Sequence, residues 1–133
     1  MDYRLSKLTQ MLQNDRFACH NNIQLISVGA GEAIAEMIVT ENHLNGVDII
    51  QGGALFTLAD FAFAAASNSH GRIAVAANAS INFFKAVSSG KITATAREEN
   101  AGRSLSSYTV DITDETGAKI AQFNGTAFLK APY

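Results

Sequence analysis

The stretch from Gly53 to Ser69 limits the possible folds more than any other part of the chain. It is built from Ala, Leu and Phe without strand-like β-branching, which predicts a helix of about 17 residues, roughly 25 Å long. Leu55, Phe56, Leu58, Ala59, Phe61, Ala62, Phe63 and Ala64 to Ala66 occupy every side of that helix, so no wide polar face is left for water. The rest of the chain must supply material that wraps it.

That material reads as strands. Residues Ile73 to Phe84 alternate, with Ile73, Val75, Ala77, Ala79, Ile81 and Phe83 set against Ala74, Asn78, Ser80 and Asn82. Three further strands are expected at Ile92 to Glu99, Leu105 to Thr113 and Ala118 to Lys130, joined by turns at Glu99-Asn100-Ala101-Gly102 and Asp114-Glu115-Thr116-Gly117. Before the helix, Ile23 to Val28 and Ala33 to Val39 suit a hairpin turning at Gly29-Ala30-Gly31, and the polar stretch Thr40 to Gln51 suits a long functional loop. Asp2 to Asp15 carries Leu5, Leu8, Met11 and Leu12 at helical spacing, with Asp2 placed as a cap. The order predicts an α+β fold: a curled antiparallel sheet wrapped around one long central helix, with a short N-terminal helix. With 133 residues, 47% of them hydrophobic, the chain fits one domain over residues 1–133.

Composition removes several classes of function. A net charge of -2 without a basic run gives no footprint for nucleic acid or an anionic membrane surface. No window approaches the apolar length of a spanning helix, and the single cysteine, Cys19, permits neither an intrachain disulfide nor a cysteine metal cluster. A cytoplasmic, unprocessed protein is expected. His20, His43 and His70 lack metal-ligand spacing, so neither a metal nor a cofactor is implied; His43 reads as an exposed loop histidine and Cys19 as a small, at least partly buried side chain.

Asp60 breaks the apolar pattern in Leu58-Ala59-Asp60-Phe61, far from either helix end and with no Lys or Arg three or four residues away. Burying a lone carboxylate costs several kcal/mol or more, so its partners must come from elsewhere unless it sits on an exposed rim. Gln51-Gly52-Gly53 stands at the start of the same helix, where free backbone amides can hold an oxyanion and glycines let a carbonyl approach. The plainer account is a flexible joint. Asp60 lies eight residues beyond Gly52, roughly 12 Å of helix rise, so one subunit does not unite them at one atom, whereas a dimer can.

Asn45-Gly46 followed by Gln51-Gly52-Gly53-Ala54-Leu55-Phe56-Thr57-Leu58-Ala59-Asp60 resembles the signature of hotdog-fold acyl-CoA thioesterases of the phenylacetate-degradation type, within the 4-hydroxybenzoyl-CoA thioesterase superfamily. The likeness continues through Ala62-Phe63-Ala64, Asn68-Ser69 and Ser80-Ile81-Asn82-Phe83, and the order of elements agrees over roughly residues 20 to 130. The resemblance implies hydrolysis of an acyl-CoA or aryl-CoA thioester by a homodimer or homotetramer, with sites at the subunit boundary. It makes Asp60 the carboxylate that attacks or activates water, Gly52 the amide that polarises the carbonyl and Asn45 a loop amide that positions them. Gln51, Gly53, Asn78 and Phe83 are the expected substrate contacts, although core and interface packing is the more ordinary role for Phe83 and Phe84.

Two departures qualify the likeness. Many relatives carry His where this chain has Gln51, which hydrogen-bonds but does not titrate near neutrality. The supporting Ser or Thr of the next strand is unmatched among Ala76, Ala77 and Asn78, leaving Asn78 as its substitute. An acyl-CoA-binding protein with weak or no catalysis is the resulting alternative. A dehydratase of 3-hydroxyacyl thioesters ranks last, because no histidine sits near Gly52 or Asp60.

Overall fold

The computed structural model describes residues 3–133. Asp2, the expected cap of the first helix, lies outside the described residues. Helix α1 (Tyr3–Gln13) is followed by a short helix α2 (Arg16–His20), then β1 (Ile23–Gly29), β2 (Glu32–Ile38), helix α3 (Gly52–Ser67), β3 (Arg72–Phe83), β4 (Lys91–Ala101), β5 (Leu105–Thr113) and β6 (Lys119–Pro132). Six strands form one antiparallel sheet in the order β1-β2-β4-β5-β6-β3.

Alanine explains how closely the sheet holds α3. Ala33 and Ala35 of β2 stand opposite Ala96 and Ala94 of β4, and all four are buried. Short side chains there admit Ala59, Ala62 and Ala66 of α3, also fully buried. Larger side chains take over toward β5 and β6, where Phe63 meets Tyr108 and Phe123 edge-on or tilted, with ring centroids 5.6 and 5.5 Å away. Gly125 leaves room for this cluster, since a Cβ there would stand 2.9 Å from both phenylalanine rings. Burying Phe63 and Phe123 together contributes on the order of 4 kcal/mol.

The structure corrects three sequence expectations. The sequence does not signal helix α2; α1 stops at Gln13 and Asp15 caps α2, its Oδ1 accepting the Ala18 amide hydrogen at 3.0 Å. Strand β3 does not alternate uniformly, because the register shifts between Ala76 and Asn78. That bulge changes the faces: Ala79, Ile81 and Phe83 pair with Gly125, Phe123 and Ala121 on the helix side, whereas Val75 pairs with Phe128 on the outer side and is exposed. Finally, α3 is not enclosed all round. Gly53 is exposed, and Thr57, Asp60 and Ala64 on the same stripe are half-buried.

The hairpin between β1 and β2 turns where expected, with Gly29 opposite Glu32 and Gly31 at φ +73°. The loop before α3 is more ordered than its composition suggests. It holds a 3₁₀ turn at Glu41–His43 and a bridge between Leu44 and Ile50.

Candidate active site

The loop reaches α3 through His43, which is buried, not exposed as its sequence context suggests. Its Nδ1 accepts from the Thr40 amide at 2.9 Å and its Nε2 donates to the Asn21 carbonyl at 2.9 Å, which fixes the tautomer. The His43 carbonyl accepts the Gln51 amide at 2.8 Å, so this histidine ties the end of α2 to the start of α3. Its role is structural. Asn45 builds the tip of the same loop: its Oδ1 accepts the amides of Val47 and Ile49 at 3.0 and 3.3 Å. Its Nδ2 hydrogens make no hydrogen bond among the described residues.

Asn45, Gly52 and Phe83 come together around one groove of about 420 Å³, also lined by Ile49, Leu55 and Lys85. The amides of Gly52 and Gly53 find no acceptor among the described residues, while Ala54 already bonds the Gln51 carbonyl. The space beside Gly52 is not empty. A Cβ there would stand 2.9 Å from Phe83 Cζ, so the missing side chain admits the ring of Phe83. Gln51 folds over Gly53, its Oε1 2.6 Å from where a Cβ would be. The contact between Phe83 and Gly52 has no signal in the sequence; the alternation of β3 only hints that Phe83 faces the helix.

Asp60 is not in that groove. It lies two turns along α3, half-buried, and makes no hydrogen bond or ion pair among the described residues. Burial pushes its carboxyl above the usual range, and the charge of Asp15 on the α1–α2 corner pushes it the same way. A carboxylate raised in this manner is a better proton acceptor near neutrality than a free one. Asn78, just past the bulge, stands in register with Thr126 on the outer side of β3 and is exposed, so one chain does not direct it at Asp60.

Residues 48–121 match the family model for the thioesterase superfamily. The chain belongs to this superfamily. It is 39% identical over 116 residues to the acyl-coenzyme A thioesterase PaaI of Escherichia coli strain K12, covering 86% of this chain and 83% of that protein. The solved structure of the E. coli PaaI protein from the phenylacetic acid degradation operon matches with a TM-score of 0.92 at 34% identity, over 97% of this chain and 94% of that one. A hypothetical thioesterase from Streptococcus pneumoniae TIGR4, solved with coenzyme A, matches with a TM-score of 0.87 at 25% identity, over 93% of this chain and 98% of that one. The fold is the hotdog expected from the sequence.

Three cations of this superfamily member form ion pairs. Lys85 lines the groove and pairs with Asp114 at 2.8 Å, whereas Lys91 and Arg97 pair with Glu36 and Asp111 elsewhere on the sheet. Among the described residues no group of His, Cys, Asp and Glu is arranged to hold a metal, and no helix is long and apolar enough to cross a membrane. Cys19, expected at least partly buried, is exposed, because α2 turns that side outward.

Proposed function

We propose that the protein hydrolyses an acyl-CoA or aryl-CoA thioester to the free acid and the CoA thiol, at sites built from two subunits. The observation that carries this reading is a separation. Gly52 and Asp60 stand roughly 12 Å apart along one helix, too far to serve one carbonyl. Yet the stripe bearing Asp60 is open, and β3, whose 12 residues form an edge of the sheet, has one side unpaired. A second copy placed along β3 covers that edge and carries its own Asp60 toward the first copy's groove. The same pairing removes an exposed strand edge that favours aggregation.

In the assembled site the carbonyl oxygen lies on the Gly52 amide, at the positive end of α3, and gains charge there as the tetrahedral intermediate forms. Asp60 of the facing subunit supplies or activates the oxygen that attacks the carbonyl carbon. The carbon–sulfur bond then breaks and CoA leaves as the thiol with a proton taken from water; where Asp60 itself has attacked, a water molecule then opens the acyl-aspartyl anhydride to the free acid and restores the carboxylate. Asn45 presents its unpaired Nδ2 at the groove, and Phe83 walls it. Lys85, at the side of the groove, gives the phosphates of the carrier a cation to meet.

A second reading, binding without turnover, rests on Gln51, which places a group that does not titrate where a catalytic imidazole would act. Thiol release from a panel of aryl-CoA and short-to-long acyl-CoA thioesters decides between them. Hydrolysis by the natural protein and its loss in Asp60→Asn support the enzyme. CoA esters that bind uncleaved, with turnover awakened by Gln51→His, support the binding protein.

A further inference from the structure

A second cleft, of about 350 Å³, shares no lining residue with the groove. Its apolar walls are Leu12 of α1, Ile23 and Leu25 of β1 and Phe61 of α3, with the uncharged Thr9, Gln13, Cys19 and Gln24 between them. Among the described residues no charged side chain lines it. Without a charge such a surface does not suit phosphate, while its apolar walls suit a hydrocarbon chain or ring, and its volume lies in the range of ligand sites. Phe61 follows Asp60 directly in α3, and Asp15, whose charge Asp60 feels, stands at the corner between the two helices that wall the cleft.

We propose that this cleft, formed by α1, α2, β1 and Phe61, holds the apolar tail of the acyl group and sets the chain length that is accepted. The proposal rests on the hydrolase reading above and deepens it. A thioester whose carbonyl sits on Gly52 of one subunit meets Asp60 of the other, and its tail then runs into the cleft beside that Asp60. The carrier and the tail are thus read by different subunits. The N-terminal helices, which lie outside the segment matched by the family model, become the part of the chain that measures substrate.

Cys19 gives a readout that does not depend on turnover, since it is exposed, lies on the cleft and is the sole cysteine. Its alkylation by N-ethylmaleimide is timed with S-decyl-CoA or S-methyl-CoA, thioethers that are not hydrolysed, at saturation measured by calorimetry. The expected result is slowing by about fivefold with S-decyl-CoA and little change with S-methyl-CoA. In parallel, Thr9→Trp, which fills the cleft from a half-buried position, should lower the ratio of decanoyl-CoA to acetyl-CoA kcat/KM by about tenfold. Binding of S-decyl-CoA that leaves Cys19 equally reactive, or a Thr9→Trp ratio equal to that of the natural protein, overturns the proposal and leaves the hydrolase reading intact. If S-decyl-CoA does not bind and no thioester is cleaved, the hydrolase reading itself has failed and this proposal fails with it.

Discussion

The two ends of α3 treat polar groups in opposite ways. At the C-terminal end they are paired. Asn68 donates to the carbonyls of Ala64 and Ala74 at 2.9 and 3.2 Å and accepts the Ala74 amide at 2.9 Å, clipping the helix to β3. Ser69 donates to Ala66 and accepts from Gly31, and Tyr133 donates to the Asn68 carbonyl. Nearby, the buried Tyr108 and the exposed His70 both bond Glu98. Burial pushes the Glu98 carboxyl up, but these two bonds outweigh it and hold it below its usual range. From the N-terminal end to mid-helix, the Gly52 and Gly53 amides, the Asn45 amide group and the Asp60 carboxylate all lack partners among the described residues. The paired groups hold the helix end to the sheet, whereas the unpaired ones are open to solvent and, in the proposed assembly, to a ligand or a second subunit.

The sharpest way to break this contrast is Asp60→Asn. Turnover should fall by about a thousandfold or more, measured as kcat for thiol release. Stability should move the other way. A carboxyl raised by burial ionises more readily in the unfolded chain, so folded stability declines as pH rises from its ordinary 3.8 through the raised value and stays lowered above. The variant should therefore match the natural protein in thermal unfolding below that range and exceed it at neutral pH. Equal losses of activity and stability would place Asp60 among the structural groups.

Asn68→Ala tests the opposite end. It leaves the Ala74 amide, which is nearly buried, without its acceptor and should cost about 2 kcal/mol in denaturant unfolding, with kcat of the folded protein unchanged. A comparable drop in kcat would mean that the clip also positions the site. Gly52→Ala is smaller. Alanine fits a helix start, but its Cβ displaces the ring of Phe83, which is 53% exposed and free to swing. Stability should hardly change while kcat/KM drops about tenfold. Smallest is Asp15→Asn, which keeps an acceptor for the Ala18 amide and removes the charge beside Asp60. The acid limb of kcat/KM should move to lower pH, because the charge that helps hold the Asp60 carboxyl up is gone.

Local composition determines part of this arrangement, and that part was legible in the chain. An apolar run without β-branching could only be a buried helix, and one carboxylate in its middle had no local explanation. The alternation of β4 to β6 and the Gly-containing hairpin followed from period and turn chemistry alone. What stayed hidden depends on contacts between distant residues. The bulge at Ala77 is set by how β3 fits β6, and it decides that Phe83 rather than Val75 faces the helix. The burial of His43 is set by the Asn21 carbonyl 22 residues away. Helix α2, at five residues, is too short for any periodicity to announce it. The openness of the Asp60 stripe reflects a shortage of covering chain, which no local pattern records.

Mixing subunits tests the central claim most directly. Asp60→Asn and a second variant with the Gly52 site blocked, Gly52→Val, are each inactive alone, then unfolded together and refolded in equal amounts. If each site takes Gly52 from one chain and Asp60 from another, the mixture should recover about a quarter of the natural activity, because half of the pairs are mixed and each holds one intact site. Recovery no greater than the sum of the two parents would show that one chain holds the whole site, and the two-subunit account would be wrong.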